Sequence, residues 1–88
     1  MRGHIKRLTP VAIVEGRRKG GFGFIRDEGE HDRFFSANDL RGPVDFTQLL
    51  ELHNKNSARN QPTWVEFEPI AGRTKGNGLA AELVRVIV

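Results

Sequence analysis

With 88 residues the chain has room for one domain and one modest core, and its 38% hydrophobic and 28% charged content is that of a globular protein, not a disordered or fibrous one. A formal charge of +3 and a pI near 10.0 give a mild bias towards a polyanionic partner. Cysteine is absent and no apolar run follows Met1, so no disulfide framework, thiolate zinc site, signal peptide or membrane span is expected, and a reducing, cytoplasmic setting is.

Gly3-His4-Ile5-Lys6-Arg7-Leu8 reads as a strand halted at Thr9-Pro10, and Val11-Ala12-Ile13-Val14 as a second short apolar run; either could be the opening strand. The basic turn Gly16-Arg17-Arg18-Lys19-Gly20 then leads into Gly21-Phe22-Gly23-Phe24-Ile25-Arg26. Period-two spacing there puts both Phe rings on one face and Ile25 on the other. Asp27 to Asp32 forms an acidic turn, and Arg33-Phe34-Phe35-Ser36 returns as the second arm of a hairpin. Phe35 points inward by alternation, which places Arg33 on the inner side as well.

After Gly42-Pro43, Asp45 is a candidate cap for a short helix in which Phe46, Leu49, Leu50 and His53 recur at helical spacing. The polar stretch from His53 to Pro62 reads as a mobile loop. Trp64-Val65-Glu66-Phe67-Glu68 alternates like a half-buried strand ending at Pro69, with Trp64 as a packing residue beside it. A glycine-rich basic loop at 72–78 precedes the last strand, Ala80 to Val88. The expected fold is all-β: one domain over 1–88, a five-stranded closed or partly open barrel of the OB type, with a short helix or long loop between strands 3 and 4.

Water-facing Phe rings require a reason, because burying each would gain about 1.5–3 kcal/mol. Gly21 and Gly23 leave the rings of Phe22 and Phe24 uncrowded, and base stacking on an aromatic ring contributes roughly 1–3 kcal/mol whatever the base. Gly21-Phe22-Gly23-Phe24-Ile25 resembles the first ribonucleoprotein motif of the cold-shock domain family, and Asp32-Arg33-Phe34-Phe35-Ser36 its second. Gly3 to Leu8, Val65-Glu66-Phe67, and Lys75-Gly76 with Ala80 to Val84 are similar to its first strand, fourth strand, and closing loop and fifth strand.

The resemblance implies an OB-type barrel that binds single-stranded RNA or DNA by stacking, as a nucleic-acid chaperone or regulator of gene expression. Its matched positions give Lys6, Arg7, Phe22, Phe24, Phe34, Ser36 and Lys75 as the nucleic-acid contacts. Arg7 stands where the family has Trp, and Ser36 and Ala37 where it has His and an aromatic. The surface is therefore thinner in rings and more electrostatic, with Arg7 able to stack its guanidinium plane on a base and Ser36 limited to hydrogen bonds. Segments 9–19 and 45–62 look longer than the family's loops and read as insertions.

His4, His31 and His53 lack metal-ligand spacing, and Asp27, Glu28, Glu30 and Asp32 read as a solvated turn, so no metal, cofactor or catalytic centre is expected. A ribonucleoprotein-type sheet with two helices would share the glycine-aromatic motif but needs a helix before Phe22, where the chain is turn-rich. The alternative of another class is a protein-interaction module using the 45–62 insertion or an unpaired strand edge. Monomer and strand-exchanged homodimer are both compatible with the two insertions.

Overall fold

Side chains alternate inward and outward along the longer strands of the computed structural model, which describes residues 1–71 and 79–87 and contains seven strands among them. They are β1 (Arg2–Thr9), β2 (Ala12–Val14), β3 (Arg17–Lys19), β4 (Phe22–Asp27), β5 (Asp32–Ser36), β6 (Trp64–Ala71) and β7 (Leu79–Val86). A 3-10 turn (Ala37–Asp39) and one helix, α1 (Phe46–Ala58), lie between β5 and β6. Five of the strands close into a barrel in the order β1-β4-β5-β7-β6, with β6 pairing back onto β1. This is an OB-like all-β barrel, and the run Gly3 to Leu8 lies within its opening strand.

Gly3, Ile5 and Leu8 point inward from β1, as do Gly23 and Ile25 from β4 and Phe35 from β5. Ile5, Leu8, Ile25, Phe35, Val65, Phe67, Ala81 and Val84 form the core, which Leu49 of α1 completes. Gly23 serves this core and not the Phe face. A Cβ there would lie 2.5 Å from Leu8 Cδ2 and 2.7 Å from the Arg7 carbonyl, so the close approach of β1 to β4 requires glycine.

Segment 9–19, expected as a loop, is a β-hairpin of its own. β2 and β3 pair antiparallel outside the barrel, with Val14 opposite Arg17, around the two-residue loop Glu15-Gly16. Both loop residues have positive φ, 52° and 74°, the requirement of a type I′ turn. Arg17, Arg18 and Lys19 are therefore strand residues and not the turn the sequence suggested.

The expected mobile loop at 53–62 is corrected too, since α1 continues to Ala58. Asn and Ser are weak helix formers, but the inner face persists beyond Leu49 through half-buried His53 to Asn56. The amide of Asn56 donates to the Thr63 hydroxyl at 2.9 Å, which ties the end of the helix to the start of β6. At the other end Asp45 accepts from the Gln48 backbone N–H at 2.8 Å while the Gln48 side chain accepts from the Asp45 N–H at 2.9 Å, a capping box. Asp45→Ala is expected to cost about 1 kcal/mol, measurable as a lower urea midpoint at unchanged slope.

β6 also runs past Pro69 to Ala71, with Pro69 opposite Ala81 on β7. β5 and β7 meet through the parallel pair of Phe34 with Ala80, the thinnest seam of the barrel among the described residues. Arg33 reinforces it. Its Nη1 donates to the Ala80 carbonyl at 3.1 Å and its Nε to Asp27 Oδ2 at 2.8 Å.

Candidate nucleic-acid interface

Of the six Phe residues, Phe35 and Phe67 are buried and Phe46 packs partly against the core. Phe22, Phe24 and Phe34 instead lie half-exposed on the outer face of β4 and β5. Register brings them together, because Phe24 stands opposite Phe34 and Phe22 opposite Ser36. The ring of Phe34 lies 5.7 Å from that of Phe22, tilted by 33°, and 5.9 Å from that of Phe24, nearly edge-on at 71°.

β1 borders this cluster with cations. Its register slips between Ile5 and Arg7, and the irregularity turns both Lys6 and Arg7 outward. The Arg7 guanidinium carbon sits 5.4 Å from the centre of the Phe24 ring, a cation–π contact that extends the flat surface. Lys6, Arg7, Phe24 and Asp32 line a surface pocket of about 410 Å³.

Asp32 sets the electrostatics beside that pocket. It accepts from Lys6 Nζ and from Arg26 Nε, each at 2.6 Å, and these two cations, Arg26 foremost, hold its carboxyl below the ordinary carboxylate range. The basic edge is thus partly neutralised from within. Asp27 is different in kind. Its side chain is 3% exposed and faces Arg33, which is 12% exposed. Burial opposes its ionisation, but the backbone N–H groups of His31 and Gly29 and the Arg33 guanidinium more than offset this and keep its carboxyl below the usual range.

No family model, curated protein or solved structure matches the chain.

Five of the seven residues singled out from sequence, Lys6, Arg7, Phe22, Phe24 and Phe34, share one continuous surface. Ser36 borders it beside Phe22, but its hydroxyl donates to Asp39 Oδ2 at 3.2 Å and is left to act as an acceptor. Lys75 lies outside the described residues.

One cation of the surface was not singled out from sequence. Arg18 of β3 lines a cleft of about 250 Å³ with Ser36, Ala37 and Asn38, which brings the hairpin cation to the Phe22 end. Arg26, which the sequence left open between a solvated charge and a phosphate contact, joins the surface through Asp32. Trp64, expected to be a packing residue, is 44% exposed, with its ring against His4. Asp27 and Arg33, read as a turn carboxylate and an unexplained inward cation, are each other's partner.

Proposed function

We propose that this barrel binds single-stranded RNA or DNA, stacking bases on Phe22, Phe24, Phe34 and the Arg7 guanidinium while Lys6, Arg26 and Arg18 meet phosphates. The observation that carries the reading is the clustering of three Phe rings on the outside of a barrel whose core already holds two others. Stacking on such a surface tolerates any base, and a cation-bordered groove follows the backbone. The arrangement favours a binding module over an enzyme. With the ordered motifs of the sequence, it supports membership in the cold-shock domain family and a cytoplasmic role as nucleic-acid chaperone or regulator of gene expression.

The expected result of an anisotropy titration with labelled oligonucleotides is micromolar or tighter binding at low salt, weakening as salt rises through counterion release. Asp32→Asn frees Lys6 and Arg26, so it should tighten binding and steepen the slope of log K against log salt by about 0.7 per additional phosphate contact. Wild-type protein that shows no salt-dependent binding to single strands would sink the proposal.

One observation favours the second reading, a protein-interaction module. The β2–β3 hairpin stands apart from the barrel and leaves Ile13 71% exposed, with Val11 and Val14 exposed beside it. An apolar strand of this kind suits edge pairing with a partner chain.

A further inference from the structure

We propose that Trp64 and His4 form a second stacking platform, which carries the single strand beyond the Phe cluster, across β1 and onto β6. This rests on the nucleic-acid reading above and assigns that site its length and direction.

Strand register supplies the path. Asp32 pairs with Arg26, Arg26 with His4, and His4 with Trp64, so one transverse row crosses β5, β4, β1 and β6. The four side chains share the outer face, as do Phe24, Phe34 and Arg7 in the adjoining row. From Phe24 to Trp64 the step is two strands across and two residues along, roughly 12 Å at the spacings of a pleated sheet. Lys6 on β1 and Arg26 on β4 leave the sheet between the two platforms with their charged groups held on Asp32 of β5, and reach the phosphates that join the stacked bases by exchanging that carboxylate for them.

Trp64 is also held as a platform would be. The carbonyl of Thr63 accepts from the Ile5 N–H and that of Trp64 from the Ile87 N–H, both at 2.9 Å, and Asn56 holds the Thr63 side chain. The backbone on either side is thus fixed while the indole stays 44% exposed. His4 meets the indole at 5.6 Å between centres and 78° between planes, bracing it edge to face. A fixed, exposed aromatic gives stacking area with little ordering cost on binding.

Trp64 is the chain's single Trp, so its fluorescence reports this platform alone. The test titrates wild type, Trp64→Ala and Trp64→Phe with oligonucleotides of about four and about eight nucleotides, lengths that fall within the span of one OB fold. Anisotropy and intrinsic fluorescence are followed together.

Expected are quenching of wild-type fluorescence by the longer oligonucleotide, an affinity loss of about five- to a hundredfold for that oligonucleotide in Trp64→Ala, and its recovery in Trp64→Phe. The shorter oligonucleotide, held by the Phe cluster, should bind all three proteins alike. Salt-dependent binding with unchanged Trp fluorescence and an unaffected Trp64→Ala overturns this inference and leaves the Phe site standing. Equal weakening of both lengths in Trp64→Ala assigns the indole a structural role and overturns it too. Failure of wild type to bind either length removes the Phe site as well.

Discussion

Asp27→Ala should destabilise the fold by about 3–5 kcal/mol, because it leaves the Arg33 guanidinium buried without its counter-charge. In a domain whose whole stability is of order 5–15 kcal/mol, that is a large fraction. The loss falls on a seam with a single register pair among the described residues, since Arg33 also donates to the Ala80 carbonyl where β5 meets β7. Asp32→Ala is the matched comparison. It removes a carboxylate with contacts just as short, but its partners Lys6 and Arg26 are well solvated, so the loss should stay within about 1 kcal/mol. Burial, not distance, separates the two. The double replacement Asp27→Leu with Arg33→Met should recover only part of the loss: it removes the unpaired charge but leaves the Gly29 and His31 N–H groups and the Ala80 carbonyl without their side-chain partners. Urea denaturation measures all four proteins, and equal small losses for Asp27→Ala and Asp32→Ala would refute the structural role given to the Asp27–Arg33 pair.

The same groups set the response to acid. Both aspartates ionise more readily folded than unfolded, so their contribution is complete above the ordinary value of 3.8 and is lost as pH falls through the lower folded values. His53 acts earlier. Burial lowers its pKa and its Nδ1 has no hydrogen-bond partner among the described residues, so the fold favours the neutral ring. Stability should therefore begin to fall as pH drops through the ordinary histidine value of 6.5 and fall again in the carboxylate range. Thermal melts across this pH range, with His53→Gln removing the first step only, check the assignment.

The barrel was legible in the sequence because period-two alternation survives wherever one face is core and the other is water. Phe24, Ile25, Phe34 and Phe35 declare their sides by alternation alone. Asp45 likewise announces the start of α1. What escaped was tertiary. No local signal says that Asn56 finds Thr63, and without that bond the polar stretch after His53 looks unable to continue a helix. The β2–β3 hairpin escaped for a different reason: Glu15-Gly16 is a short I′ loop, but the consecutive cations after it look like a solvated turn. The Phe cluster could be read because its rings lie close in sequence, whereas Trp64 reaches the same face only through pairing with His4, sixty residues earlier in the chain.

Phe34 and Phe35 offer the sharpest separation of surface from core, because the two rings are adjacent in sequence and opposite in direction. Phe35 is fully buried among the core side chains, so Phe35→Ala should cost about 3–5 kcal/mol and lower the urea midpoint accordingly. Phe34 touches Phe22 and Phe24 on the outer face, and Phe34→Ala should keep a cooperative fold while losing about 1–3 kcal/mol of single-strand affinity. The loss should be largely independent of salt, since stacking releases no counterions, whereas Lys6→Ala should flatten the salt slope. Stability and binding must therefore respond to different members of one dipeptide. If Phe34→Ala unfolds the barrel as Phe35→Ala does, the outer rings are part of the core. If it folds and binds like wild type, bases do not stack there, and the hairpin edge becomes the surface to test.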